Sequence, residues 1–213
     1  DKMNIHDIFM IVGYQKEKII NYFKKGEQWG VDISYIDCPN PEEGIGRGIL
    51  YAEQSLQEPF ICILGDEYYS RSNHDLCLTL PDQTFAICAI KYSNDIKEIK
   101  KNYTVEIGDG LIRKIIEKPD GSQSSHLRYL GCGTWVFRPE IFEWIGKTEP
   151  SLRTGKVELM DALDLAIQKG RLVKPFYLEG DYFNINSIED INQCNYVVRS
   201  SRFSEKKISL VIP

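Results

Sequence analysis

The sequence lacks any apolar run that approaches the ~20 residues needed to span a bilayer. It also lacks an excess of positive charge, because 26 basic residues stand against 31 acidic ones and the net charge is −5. Nucleic acids and anionic membranes both attract basic surfaces. We therefore expect no membrane segment, no signal peptide and no nucleic-acid partner.

Metal-ligating residues are few and scattered. The chain has three histidines and six cysteines, and no two cysteines form a C-x-x-C pair. Cys62, for example, lies within the apolar run 60–64. This usage predicts reduced, core-filling thiols in a cytoplasmic protein and argues against a structural zinc site.

The first third of the 213 residues alternates short apolar runs with segments of helical spacing. We predict strands at 8–12, 31–36 and 60–64 and helices at 17–23 and 48–56. Such alternation is typical of an α/β fold with a mainly parallel, Rossmann-like sheet flanked by helices. The length suits one domain with a sizeable core.

The middle of the chain has a different pattern. Residues 103–107 and 111–117 alternate around Gly108-Asp109-Gly110, which predicts a β-hairpin inserted into the α/β fold. Further strands are predicted at 84–90, 130–137 and 172–178, and further helices at 139–145, 157–169 and 189–198.

Two short motifs place charged groups where predicted strands end. Gly65-Asp66 follows a buried strand, at the edge where open α/β sheets bind ligands, and a carboxylate there suits Mg²⁺. Glu117-Lys118-Pro119 ends another strand and offers a cation for a phosphate and a carboxylate for hydroxyl groups. Taken alone, Gly65-Asp66 is more typical of a turn, and Glu117-Lys118-Pro119 is equally compatible with a solvated charge pair.

Two further motifs precede predicted helices. Gly44, Gly46 and Gly48 would let backbone approach a ligand, although a flexible strand-to-helix turn is the better explanation when they are taken alone. Asn184 and Asn186 alternate before Ser187, which is a candidate N-cap.

The order and spacing of these motifs resemble the sugar-nucleotide pyrophosphorylases, a family of nucleotidyltransferases with the nucleotide-diphospho-sugar transferase fold. Glu117-Lys118-Pro119 is identical to the family's E-K-P. The other similar segments are Ile11 to Tyr14, Gly44 to Ala52, Leu64 to Asp66, Gly131 to Glu140, Val157 to Ala162, and Tyr182 to Asp190.

The resemblance implies a reaction and a set of roles. An acceptor phosphate, such as a sugar 1-phosphate, would attack a nucleoside triphosphate with Mg²⁺ as cofactor, and pyrophosphate would leave. The implied catalytic residues are Asp66 and Lys118. The implied nucleotide-binding residues are Gly44, Gly46, Gly65 and Asp66. The implied acceptor-binding residues are Glu117, Lys118, Gly133 and Tyr103, and the implied metal ligands are Asp66 and Asn184.

Three departures from the family qualify these roles. The family's opening strand and glycine-rich loop, which hold the triphosphate, have no counterpart before Asp1. Asn184 stands where the family has a second metal-binding Asp, so metal affinity should fall. Tyr103 stands near a family glycine, which suggests an acceptor other than a sugar, such as a choline or alditol phosphate.

Other interpretations stay open. The domain is predicted to span 1–198, with 199–213 as a linker and the first strand of a following domain, because 208–212 resembles the first strand of an inverting glycosyltransferase. The same segment is equally compatible with a C-terminal strand of this domain. One alternative is a non-catalytic nucleotidyltransferase-like domain fused to such an enzyme. A glycosyltransferase function for the domain itself is disfavoured by the absence of an Asp-x-Asp motif after Gly65. Family members often form homo-oligomers, so we expect one here.

Overall fold

A computed structural model describes residues 3–119 and 128–204. Its helices and strands confirm the α/β class. The strands are β1 (Asp7–Val12), β2 (Asp32–Asp37), β3 (Phe60–Ile63), β4 (Glu67–Ser70), β5 (Thr84–Tyr92), β6 (Tyr103–Gly108), β7 (Leu111–Glu117), β8 (Tyr129–Phe137), β9 (Leu172–Tyr177) and β10 (Asp181–Asn184). The helices are α1 (Lys16–Phe23), α2 (Ile45–Leu50), α3 (Ile96–Lys101), α4 (Ile141–Lys147), α5 (Leu159–Gln168) and α6 (Ile188–Ser204).

The strand pairing is mixed, whereas the sequence predicted a mainly parallel sheet. The central sheet has the order β3-β8-β5-β9, and within it only the β5–β9 pair is parallel. β1 and β2 form a separate parallel pair, and β4 and β10 form an antiparallel ribbon. The prediction of a mainly parallel sheet is therefore wrong for the described strands. A continuous apolar strand shows that both faces are covered, but it does not show the direction of the neighbouring strands.

The core lies on the central strands. All residues of β5 from Thr84 to Ile90 are buried, as are those of β8 from Leu130 to Phe137. Helix α5 packs its apolar stripe on this core, and its Leu163 and Ala166 are fully buried. The helix predicted at 157–169 is thus confirmed, and Leu159 and Leu163, four residues apart, form its core-facing stripe.

The predicted hairpin is confirmed as β6 and β7, which pair antiparallel. Asp109 and Gly110 have φ values of 53° and 72°. Positive φ at both central residues is the requirement of the two-residue turn that matches strand twist. The hairpin contacts α5 and the central strand β8, so its open end reaches the edge of the cavity described below.

Several element boundaries differ from the predictions. Helix α2 begins at Ile45 and ends at Leu50, earlier than predicted, and turns follow it. Helix α3 was not predicted, although Asp95 caps it by accepting hydrogen bonds from the amides of Lys97 and Glu98. Helix α6 continues through the predicted boundary at 198. The predicted strand 208–212 lies outside the described residues.

None of the helices in the described ranges is both long enough and apolar enough to cross a membrane.

Candidate functional site

A cavity of about 700 Å³ lies between the ribbon β4–β10, the end of the hairpin, β8 and the start of α5. It brings together most of the predicted site residues, which are far apart in sequence. Those that line it are Asp66, Tyr103, Glu117, Lys118, Gly133 and Asn184. Gly44, Gly46 and Gly65 are not among its lining residues, although Ile45 is.

The described wall of the cavity carries more carboxylates than cations. The acidic lining residues are Asp66, Glu67, Glu98, Glu117, Glu158 and Asp190, and the basic ones are Lys101 and Lys118. A polyanionic ligand would meet repulsion from most of this wall unless a cation accompanied it.

The two predicted metal ligands lie at one end of the β4–β10 ribbon. Asp66 is exposed and immediately precedes β4, and its carbonyl oxygen accepts a hydrogen bond from the amide of Ile185 at 2.8 Å. The Asn184 Oδ1 accepts from the Asn186 Nδ2 at 2.5 Å, and the Asn184 Nδ2 donates to the Asn102 Oδ1 at 3.2 Å. Asp66 and Asn184 therefore lie at one locality, where the side-chain amide of Asn184 is oriented by two other asparagines.

Asp181, the nearest carboxylate before Asn184 in the sequence, does not replace the carboxylate that Asn184 lacks. Asp181 lies at the opposite end of β10, where it forms an ion pair with Arg71 at 2.8 Å. Its register partner is Ser70, whereas that of Asn184 is Glu67.

No group of three or more His, Cys, Asp or Glu side chains with a metal-binding arrangement exists among the residues that the structure describes. Mg²⁺ commonly takes one or two protein oxygens and completes its shell with phosphates and water. Asp66 and Asn184 suit a site in which the protein supplies two oxygen ligands and substrate phosphates and water supply the rest. They are too few for a site in which the protein supplies every ligand.

Glu117 and Lys118 lie at the end of β7 as predicted. The Glu117 side chain is about one-fifth exposed, with its Oε1 4.0 Å from the Arg153 guanidinium. Burial raises the pKa of the Glu117 carboxyl, Lys118 opposes the rise, and Glu158 adds to it. Lys118 has φ 45°, and its amide donates to the Asn102 carbonyl at 2.9 Å. The unusual backbone of Lys118 is thus held by the same residue that orients Asn184.

The glycines at the start of α2, Gly44 and Gly46, have a structural reason that the sequence did not reveal. A Cβ on Gly44 or Gly46 would lie 2.8 Å or 2.7 Å from the carbonyl oxygen of Val157. The Gly46 amide donates to that same oxygen at 3.1 Å. Both positions therefore require glycine because the backbone of Val157 packs against them, and no contact with a ligand is needed to explain them.

Gly133, an implied acceptor-binding residue, lines the cavity, but protein atoms occupy the space where its side chain would be. A Cβ there would lie 2.6 Å from Leu64 Cδ1 and 2.8 Å from Glu67 Cδ. The space is filled by the protein itself, because Gly133 is where β8 meets the Glu67 carboxylate.

Tyr103 was expected to contact the acceptor, but its polar atom is already occupied. The residue is 5% exposed, and its hydroxyl donates to the carbonyls of Ala89 and Cys132 at 2.9 and 3.1 Å. Its ring stacks on Trp135 and fills the space over Gly131. Any contact with an acceptor would therefore involve the ring and not the hydroxyl.

The sequence motifs did not single out Glu67, which lines the cavity. It accepts hydrogen bonds from the Gly133 amide, the Tyr69 hydroxyl and the Tyr182 hydroxyl. Burial raises the pKa of its carboxyl, and these hydrogen bonds oppose the rise. Its position directly after Asp66 was the available signal, but the partners come from strands that are distant in sequence.

The chain is similar to nucleotidyltransferases in its sequence. The model of the nucleotidyl transferase family matches residues 2–196. The UTP–glucose-1-phosphate uridylyltransferase AglF of Haloferax volcanii is 28% identical over 184 residues, which are 86% of this chain and 73% of that protein. The bifunctional protein GlmU of Methanocaldococcus jannaschii is 29% identical over 195 residues, which are 90% of this chain and 43% of that protein.

A solved structure has the same fold. UDP-glucose pyrophosphorylase complexed with UDP-glucose superposes with a TM-score of 0.77 over 94% of this chain and 83% of that one, at 19% identity. At this identity the likeness concerns the fold alone. The chain spans only part of the length of the relatives it matches, from 43% to 73% in the two proteins above.

Proposed function

The chain belongs to the nucleotidyl transferase family, and on that premise we propose that it joins a nucleoside triphosphate to a sugar 1-phosphate or a related phosphate. The observation that carries the proposal is the meeting of Asp66, Glu117, Lys118 and Asn184 on one cavity. Oxygen ligands for a cation and a lysine for a phosphate are the groups that this reaction requires.

The reaction would be a single in-line displacement. An oxygen of the acceptor phosphate attacks the α-phosphorus, a new P–O bond forms, and the bond to the β-phosphate oxygen breaks so that pyrophosphate leaves with the electron pair. No covalent enzyme intermediate is needed, so catalysis depends on positioning and charge stabilisation. Lys118 would bind the acceptor phosphate, and Glu117 would accept hydrogen bonds from acceptor hydroxyl groups.

We also propose Mg²⁺ as the cofactor, held by Asp66 and the amide oxygen of Asn184. Both are hard oxygen donors, and the second lone pair of the Asn184 oxygen is available beside its bond from Asn186. The metal would neutralise charge on the transferred phosphates. The excess of carboxylates in the described wall of the cavity supports this need for a cation.

The base-binding role of Gly44, Gly46 and Gly65 stays a proposal. Their backbone atoms, rather than space beside them, would contact the nucleotide, and Ile45 between the first two does line the cavity. For the compartment we propose the cytoplasm, which the six free cysteines support. The homo-oligomer and a following glycosyltransferase domain are likewise proposals.

The test is pyrophosphate release by the full-length polypeptide with Mg²⁺. CTP, UTP, dTTP, GTP and ATP are each combined with a panel of sugar, alditol and choline phosphates. Release that depends on one nucleotide and one acceptor would support the proposal and name both substrates. The choline and alditol arms test the suggestion drawn from Tyr103.

The second candidate is a non-catalytic binding domain, which Asn184 favours because it replaces a carboxylate by a neutral amide. Folded protein that binds a nucleotide in calorimetry but releases no pyrophosphate across the whole panel would favour this candidate. Turnover with any pair would exclude it.

A further inference from the structure

Glu67 forms a polar link between separate sheets in the wall of the cavity. Its Oε1 accepts from the Tyr182 hydroxyl at 2.7 Å, and its Oε2 accepts from the Gly133 amide at 2.7 Å and from the Tyr69 hydroxyl. Tyr182 lies in β10, Gly133 in β8 and Tyr69 in β4. One carboxylate thus fastens the β4–β10 ribbon to the central sheet.

Every partner of this carboxylate is a hydrogen-bond donor. An ionised carboxylate accepts only, so all three contacts are satisfied together. A glutamine at the same position would direct its NH₂ group at one or more of these donors. The site therefore requires a carboxylate rather than any polar side chain of the same size.

The Tyr69 hydroxyl, one of the two donors to Oε2, is the last donor in a directional chain of hydrogen bonds. Thr134 Oγ1 donates to the Tyr69 hydroxyl at 3.0 Å, so it accepts from His74 Nε2, 3.2 Å away. With its proton on Nε2, His74 accepts at Nδ1 from the Ser72 hydroxyl at 2.8 Å. All donors point along the chain toward Glu67, which is its final acceptor.

The ribbon that Glu67 fastens carries both predicted metal ligands. Asp66 is the preceding residue, and Asn184 is the register partner of Glu67 across the ribbon. The Ile185 amide bonds to the Asp66 carbonyl at 2.8 Å and ties the two ends together. A shift of Glu67 relative to β8 would therefore displace Asp66 and Asn184 from the rest of the cavity.

We propose that Glu67 is a positioning residue, which holds the β4–β10 ribbon on the central sheet and thereby keeps Asp66 and Asn184 in place to bind a divalent cation. This inference rests on the proposed function. Supporting contacts around metal ligands typically change metal affinity 10- to 100-fold when they are removed.

The experiment compares wild type with Glu67→Gln in the full chain by two readouts. Hydrogen–deuterium exchange reports the Ile185 amide without metal or substrate. Electron paramagnetic resonance reports Mn²⁺ binding in the presence of each nucleoside triphosphate. We expect faster exchange at Ile185 and Mn²⁺ affinity lower by about 10- to 100-fold in the variant.

Two further variants sharpen the comparison. Glu98→Gln removes the same charge from an exposed carboxylate of the cavity wall and leaves the link to β8 intact. It should leave the Ile185 exchange rate unchanged and weaken Mn²⁺ binding much less. Tyr182→Phe keeps the Glu67 carboxylate and removes one of its hydrogen-bond donors. Its Ile185 exchange rate and its Mn²⁺ affinity should therefore lie between those of wild type and Glu67→Gln. If Glu67→Gln does not fold, Tyr182→Phe provides the test instead.

The outcomes separate this inference from the function on which it rests. Wild-type exchange and affinity in the Glu67 and Tyr182 variants would overturn the positioning role while the function stands. Faster exchange with unchanged Mn²⁺ affinity would overturn it too, because the ribbon would then not control the metal. Wild-type protein that binds no Mn²⁺ with any nucleotide would overturn the metal assignment in the proposed function and this role with it.

Discussion

At the scale of single residues, Asp66 and Asn184 differ in what they bring to the cavity. Asp66 is an exposed carboxylate at the start of the ribbon, whereas Asn184 is a neutral amide held by Asn102 and Asn186. The negative charge at the proposed metal position therefore depends on Asp66.

We expect Asp66→Asn to lower the rate of pyrophosphate release by about 100-fold or more, because it removes that charge from the metal position. The fold should be kept, since the side chain is exposed and the amide has the same shape. Turnover assays and thermal unfolding measure the two effects. Asp82→Asn is the matched control, an exposed carboxylate outside the cavity lining, and should behave as wild type. Full activity in Asp66→Asn would refute the metal assignment.

Single residues also show what a sequence motif leaves open. Gly133 and Tyr103 both line the cavity, but their neighbours are protein atoms. A glycine in a motif shows that space is limited without showing what limits it. Glu67, by contrast, has only its place beside Asp66 as a signal in the sequence, and it acquires its role from Gly133 and Tyr182.

At the scale of elements, β8 packs closely on the hairpin where the ring of Tyr103, in β6, lies against Gly131 of β8. A Cβ on Gly131 would lie 2.3 Å from the Tyr103 ring, and the ring cannot retreat because its hydroxyl is bonded to Ala89 and Cys132. We expect Gly131→Ala to lower the free energy of unfolding by about 1–3 kcal/mol through overpacking.

Gly146 provides the matched control for that substitution. It lies in α4, and a Cβ built there would have no atom within 4 Å apart from those of adjacent residues and of the helix's own backbone. Since glycine costs a helix about 0.5–1 kcal/mol relative to alanine, Gly146→Ala should raise the free energy of unfolding by about that amount. Urea denaturation of both variants measures the pair of opposite shifts. Equal effects at the two positions would contradict the packing of Tyr103 on Gly131.

Elements were predicted with uneven success. The buried strands β5 and β8 and helix α5 followed from apolar runs and i, i+4 spacing. Helix α3 is short and rich in lysine, so its apolar pattern is weak and its cap at Asp95 carries the signal. The strands of the ribbon, β4 and β10, have four residues each, too few to establish a period.

At the scale of the whole molecule, His74 makes the free energy of unfolding depend on pH. It is 6% exposed, and burial lowers the pKa of its imidazole below the ordinary value of 6.5. The unfolded chain therefore binds a proton at this residue at a pH where the folded one does not. The contribution of neutral His74 to the free energy of unfolding is fully present above about pH 6.5, and it is lost as the pH falls below that value.

We expect the free energy of unfolding of the wild type to fall more steeply between pH 7 and pH 5 than that of His74→Asn. Urea denaturation across this range measures the difference between the two proteins. Carboxyls whose pKa is raised by burial, such as Glu117 and Asp161, contribute in the opposite direction but equally to both proteins. Parallel curves would show that His74 is not held neutral.

The sequence by itself determined the α/β class, the hairpin turn at Asp109-Gly110 and the motifs at Asp66, Glu117 and Lys118. These depend on local spacing, on positive φ and on charged residues at strand ends, all of which a linear pattern records. The tertiary structure alone decided the mixed strand directions, the crowding at Gly133 and the convergence on Glu67. The reason is physical: strand direction, close approach and hydrogen-bond partners are set by residues that meet only when the chain has folded.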